Sequence, residues 1–234
     1  MKVSIWSDIR CPFCYIGKRK FEAALDKFPY KEEVIVEWKS FELDPYIETK
    51  LNVDYIERFM EVKNIDKDTA LGMFDRVTAM ASEVGLNFNI EKAITANSLN
   101  AHRLLHFAKT KNKADATKEA LLKAHLEDAK NIDAIDVLLQ IAKEVGLDFD
   151  KVKTMFLSDA LTYEVRQDEL EARNLGISGV PFFVLDGKYG LSGAQPEEVF
   201  TEALENTWKK HEQEKLTILN TGEGSACDLD GNCD

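Results

Sequence analysis

The chain has no apolar run approaching the roughly 20 residues that a membrane-spanning helix requires. Its start shows no secretory pattern either: Lys2 is followed by only a few apolar residues before Asp8 and Arg10 intervene. A cytoplasmic location is therefore the expectation. Basic residues are in deficit, 30 Lys and Arg against 42 Asp and Glu, for a formal net charge of −12. That deficit argues against nucleic acid or an anionic membrane surface as a partner, since both demand a basic face. Cysteine is scarce, with four residues in 234. In a reducing compartment so few thiols do not staple a fold, and redox or metal roles gain weight.

What is present is an ordinary globular composition, 44% hydrophobic and 31% charged, enough for a substantial core. The length suits one large domain or a core domain carrying an insertion. Two cysteines sit in Ser7-Asp8-Ile9-Arg10-Cys11-Pro12-Phe13-Cys14-Tyr15, after a short apolar run and before a helical pattern through Phe21, Ala24 and Leu25. Amides at a helix N-terminus lack partners and carry partial positive charge, which stabilises a thiolate there and lowers its pKa. Pro12 suits the first helical turn, where its missing N–H costs nothing. Cys14 falls within one turn of Cys11, close enough to resolve a mixed disulfide on it. Thiol–disulfide exchange led by a low-pKa Cys11 is the expected chemistry.

Residues 2 to 7 read as a buried strand, followed by the motif and a helix ending near Phe28, which Pro29 pushes out of the α region. Val34 to Phe41 alternates, with Val34, Val36 and Trp38 on one face, and reads as a second strand. Strand, helix, strand is a parallel βαβ unit with the cysteines at its first turn. From about residue 50 to 175 the periodicity is helical, with helix starts predicted at Asp66, Asp133 and Asp148. The near-repeat of Glu83-Val84-Gly85-Leu86 and Glu144-Val145-Gly146-Leu147 is not continued by its flanks. It reads as a shared helix ending, with glycine in the left-handed position, rather than a duplicated unit. A last helical segment, about Asp159 to Leu175, stops at Gly176. Ile177 to Leu185 then holds a strand opening on Pro181, Asp186-Gly187 is a tight hairpin turn, and Lys188 to Leu191 returns. A helix with Pro196 at its first position runs to about His211, and from Leu216 the chain reads as a mobile tail.

Without the helical block, the order is strand–helix–strand and then helix–strand–strand–helix. This is an α/β, thioredoxin-like fold with a large all-helical insertion between its βαβ and ββα halves. The expected division is 1–48 with 176–215 for the thioredoxin-like part and 49–175 for the insertion, whose last helix rejoins the fold. Residues 216–234 form the tail with its cysteine pair.

Cys11-Pro12-Phe13-Cys14-Tyr15, the helical insertion and Gly179-Val180-Pro181-Phe182 together resemble the DsbA family of thioredoxin-fold oxidoreductases. Asp8, Phe41-Glu42-Leu43-Asp44-Pro45 and Asn100-Ala101-His102-Arg103-Leu104 look similar to its FrnE-like branch. The resemblance covers residues 2 to about 210. It implies a cis Pro181 lying against the cysteines, with Val180 offering backbone groups to an extended peptide. Both fit the physics of X–Pro bonds and of strand addition at a free edge. The bland alternative is a trans proline opening an edge strand. It also implies protein or peptide disulfides as substrates, and a glutathione or thioredoxin system as electron supply. In the related isomerase branch a matching stretch lines the cleft, which by resemblance places Asn97, Asn100, His102 and Arg103 beside the site.

Several rival readings stand beside these. Cys11, Cys14, Cys227 and Cys233 would make four thiolate ligands for zinc, but five residues separate the last pair, poor spacing for a zinc knuckle. No metal is expected. Cys227 and Cys233 read as an accessory redox pair, a regulatory disulfide or two incidental thiols. Asp228, Asp230, Asn232 and Asp234 hint at a calcium loop, yet the EF-hand spacing and distal Glu are missing. His102 and His106 stand at i, i+4 with no carboxylate evident near them in sequence, and read as surface or packing histidines. Phe13 cannot donate a hydrogen bond to sulfur, whereas strongly oxidising members of the family carry histidine in this dipeptide. A less depressed Cys11 pKa and a less oxidising pair follow. The rival functions are a glutathione-dependent isomerase or transferase of the chromene-carboxylate or kappa type, and a zinc- or partner-binding module. The former relatives generally carry serine at the first cysteine position, which this chain does not.

Overall fold

The computed structural model describes residues 1–213. At its centre is β1 (Lys2–Ser7), whose Val3, Ile5 and Trp6 are buried. With apolar residues inward on both faces, it is a strand that needs neighbours on both sides. Parallel β2 (Ile35–Ser40) pairs on one side, Ile5 opposite Trp38, and antiparallel β3 (Phe182–Leu185) on the other, Ile5 opposite Phe183. β4 (Tyr189–Ser192) closes the order β2-β1-β3-β4. The β3–β4 turn is the expected one: Asp186 and Gly187 both have positive φ, 51° and 68°, and the Lys188 amide closes on the Leu185 carbonyl at 3.0 Å.

Helix α1 (Pro12–Lys27) leaves β1 directly, with Cys11 at its N-cap and Pro12 in its first turn. It packs on α9 (Glu197–Gln213), and Phe21, Phe183 and Phe200 meet ring to ring beneath it. Between β2 and β3, apart from one bridge at Lys50 and Thr95, the regular structure is helical. The elements are α2 (Tyr55–Lys63), α3 (Lys67–Glu83), α4 (Leu99–Lys109), α5 (Ala114–Leu126), α6 (Ile135–Glu144), α7 (Phe149–Phe156) and α8 (Thr162–Asn174).

The helix punctuation is mostly local. Asp66 caps α3 through the Thr69 amide (2.8 Å) and Asp148 caps α7 through that of Lys151 (3.1 Å). Asp133 does not cap α6; Ala134 holds that position, and the Asp133 carboxylate is taken up by Thr49 and Asn100 at 2.6 and 3.0 Å. The near-repeat is a helix ending and not a duplication. Gly85 and Gly146 have φ of 77° and 74°, and the next amides, of Leu86 and Leu147, reach back to Ala81 and Ala142 at 3.0 and 2.8 Å.

One hydrophobic core runs from the sheet, through Val3, Ile5, Trp38 and Phe183, into the helical block at Leu104, Leu105, Leu121 and Leu138. A second cluster joins Tyr15 and Ile16 of α1 to Phe74, Leu86, Phe88 and Leu122. The helices between the two halves therefore share the core of the sheet. Among the described residues no helix is long and apolar enough to cross a membrane.

Candidate active site

The cysteine pair occupies the turn from β1 into α1. Cys11 and Cys14 are free thiols, and both residues are buried, at 4% and 1% exposure. The Cys14 amide closes the first turn on the Cys11 carbonyl at 3.0 Å. Pro12 is half-buried and Phe13 is 39% exposed at the lip of the site. Opposite lies the Val180–Pro181 peptide bond, which is cis. The Cys11 thiol donates to the Val180 carbonyl at 3.6 Å, while the Val180 amide has no partner among the described residues. Gly17, one turn beyond Cys14, makes room for the proline: a Cβ there would stand 3.0 Å from the Pro181 ring. An interior helix glycine is the signal that could have pointed to this contact from sequence.

Beneath the pair is a buried polar layer. Asp8 is fully buried, accepting from the Leu43 amide at 2.9 Å and the Arg10 amide at 3.2 Å, with His102 Nε2 at 3.5 Å. Burial pushes its carboxyl up, but His102, Arg10 and the Leu43 amide outweigh that and hold it well below the usual carboxylate range. Burial pushes His102 down, and takes the nearby His125 to about 4. The two histidines of α4 are thus not surface residues. Each is buried against a carboxylate from a distant part of the chain, His102 against Asp8 and His106 against Asp168 at 3.1 Å. Tyr55 of α2 lies in the field of Arg10, Cys11 and Asp8, and burial pushes its phenol up.

The two thiols are electrostatically coupled, and burial opposes charge on both. Cys11 is raised well above the usual thiol range by its hydrogen bond to Cys14, by burial and by the adjacent sulfur charge. Cys14 is lowered: burial opposes, but the hydrogen bond from Cys11, the Lys118 ammonium and the Ser7 hydroxyl prevail. Two sulfurs this close share one negative charge, and their proton losses belong to the pair.

The remaining cleft residues do not converge on the sulfurs. Asn97 ties down the carbonyls of Pro45 and Ile47, at 3.4 and 3.1 Å. Asn100 bridges Asp133 and Arg103. Arg103 holds the carbonyls of Met155, Ser158 and Ala160, stapling α4 to the segment after α7. Only His102 of the four reaches the layer under the pair. Cys227 and Cys233 lie outside the described residues. Lys118 carries no motif of its own, and only the fold brings it to the base of the cysteine turn.

Comparison with known proteins agrees with this geometry. The model of the DSBA-like thioredoxin domain family matches residues 2–205, and the chain belongs to that family. A probable DsbA oxidoreductase from Streptomyces coelicolor is 37% identical, with a TM-score of 0.87 over 100% of this chain and 98% of its own. The cytosolic disulfide reductase DsbM from Pseudomonas aeruginosa (17% identity, TM-score 0.62, 90% of this chain and 100% of its own) shares the fold. So does a 2-hydroxychromene-2-carboxylate isomerase (14% identity, TM-score 0.66, 92% and 100%).

Proposed function

We propose that this protein is a thiol–disulfide oxidoreductase acting on disulfides of protein or peptide substrates. The observation that carries the reading is the juxtaposition of Cys11, at the start of α1, with a Val180 peptide group whose amide has no partner among the described residues and can meet an extended chain. As a substrate disulfide docks, the proton shared by the pair settles on the Cys14 sulfur and the Cys11 thiolate attacks one substrate sulfur. The substrate S–S bond breaks, and the departing thiolate takes the proton held on Cys14. Cys14 then attacks Cys11 in the mixed disulfide, the second substrate thiolate leaves, and a Cys11–Cys14 disulfide forms. Two electrons have moved from the dithiol to the substrate. A glutathione or thioredoxin system would return them, and the same steps run backwards oxidise a dithiol.

A reductive, cytoplasmic role suits the Pro-Phe dipeptide, which lacks a donor to stabilise the thiolate form. The DsbM fold is a precedent for a cytosolic disulfide reductase. The isomerase reading has less support, because both cysteines are kept where those relatives generally carry serine. Turnover of insulin disulfides, measured as light scattering, tests the proposal. We expect Cys11→Ser to abolish it and Cys14→Ser to accumulate mixed disulfide. Activity that survives Cys11→Ser would overturn the assignment.

A further inference from the structure

Arg10 immediately precedes Cys11 in the turn from β1 into α1, and its backbone amide is pinned to the Asp8 carboxylate at 3.2 Å. The side chain is half-buried, and its Nη1 is shut off from solvent without a hydrogen-bond partner among the described residues. None of their carboxylates stands within 4 Å of the guanidinium. That is unusual in a chain with 42 acidic residues against 30 basic ones. The other buried or half-buried arginines are all engaged: Arg19 by Glu22 and Glu119, Arg58 by Glu61, Arg166 by Glu42 and Glu169, and Arg103 by three backbone carbonyls. Of the acids between β2 and α2, Glu42 is taken by Arg166, Asp44 by the Tyr46 amide, and Asp54 by the first amides of α2. Both Asp8 oxygens already accept backbone amides. A buried guanidinium N–H without an acceptor is unfavourable, and its partner has to come from outside the chain.

We propose that Arg10 is a substrate-binding residue that takes a carboxylate lying beside the disulfide being exchanged. This rests on the reading of Cys11 as the attacking thiol. A guanidinium presents its N–H donors in a fork that a carboxylate matches with two oxygens. Folding has withdrawn part of it from water, so a docked carboxylate meets a partly dehydrated cation, where a charge-assisted bond gains strength. Tyr55 on α2 and His125 on α5 lie in the field of Arg10, and both are uncharged at neutral pH. The mouth otherwise presents the Val180 amide, a donor, and the Phe13 ring, an apolar surface. Cys11 attacks and Cys14 resolves as set out above. Arg10 holds the carboxylate through both steps and exchanges neither proton nor electron. An acid next to a half-cystine occurs in glutathione and in acidic stretches of polypeptide.

The test uses the full chain with Cys227→Ser and Cys233→Ser, so that the Cys11–Cys14 pair alone reacts, and follows its oxidation by matched disulfides. One match is glutathione disulfide with its ethyl ester. The other is a short peptide disulfide carrying glutamate beside the cysteine, with the same peptide carrying glutamine. Comparing the ratio of rate constants between parent and variant cancels any effect of Arg10 on thiol reactivity. In the parent the acid should react about tenfold faster than its neutral match, the worth of one charge-assisted hydrogen bond. In Arg10→Gln it should react no faster, and Arg10→Lys should keep part of the preference. A preference confined to glutathione assigns that ligand, and one in the peptides assigns acidic polypeptide. No preference in the parent, or one that survives Arg10→Gln, overturns the proposal. Arg10→Met, which keeps the apolar stem, supplies the same ratio should Arg10→Gln fail to fold. Insulin turnover surviving in Cys11→Ser would instead defeat the functional reading and leave these ratios untouched.

Discussion

Phe13 is the residue through which the pair's chemistry is most readily altered. It stands at the mouth of the site, 39% exposed, and offers the neighbouring sulfur no hydrogen bond. Replacing it with histidine adds a donor within reach of the pair. We expect Phe13→His to lower the first thiol midpoint by about one unit. The equilibrium with glutathione should shift towards the reduced protein. Thiolate absorbance and a glutathione redox titration read the two effects, and a midpoint that does not move would refute the account. At the same scale, sequence reveals only part of what surrounds the pair. The helix-terminus argument counts only local backbone, which favours Cys11. Lys118 arrives at the base of the motif from α5, donating to the Ser7 carbonyl at 3.3 Å, and no spacing marks it.

Among the elements, α8 is held to the sheet and to α4 chiefly through the buried carboxylate of Asp168. Asp168 accepts from the Ser40 amide at 2.8 Å and pairs with Lys39, Lys109 and His106 at 3.2, 3.3 and 3.1 Å. Its own carbonyl takes the Trp6 indole N–H at 2.9 Å. Burial works against its charge, but His106, Lys109, the Ser40 amide and Lys39 hold its carboxyl well below the usual range. Such a group stabilises the fold fully above the unfolded carboxylate pKa, about 3.9, and the contribution is lost as pH falls below it. We expect Asp168→Asn to cost about 3 kcal/mol at pH 7, since it leaves buried cations short of a partner. Thermal melts should show the gap to the parent closing as pH is lowered towards 3. A gap that stays constant would mean the carboxylate is not the fastening.

The whole molecule depends on a core that the two halves of the sheet and the helical block fill together. Val3, Ile5 and Phe183 pack in one cluster with Leu104, Leu121 and Leu138. Excising residues 49–175 and joining the ends with a flexible linker should therefore give a chain without a cooperative melt or near-UV circular dichroism. A sharp two-state transition would show that the sheet holds its own core. Much of this organisation is legible beforehand. The Asp186-Gly187 turn, the endings at Gly85 and Gly146, and the Cys11 start of α1 follow from chemistry within a few residues. Asp133 misleads because its carboxylate is drawn to Thr49 and Asn100 instead of its own helix. His102 and His106 mislead because their carboxylates, Asp8 and Asp168, approach from the β1–α1 turn and from α8.

The amino-acid order alone determined the elements, their punctuation and the family, because hydrophobic period, turn residues and the Cys-x-x-Cys spacing are written within short stretches of chain. Tertiary packing decided what lies beneath the sulfurs and which ring meets Gly17. Those outcomes depend on α5, α4 and the Pro181 loop converging on one turn, and electrostatics across such distances in sequence leaves no local pattern to read.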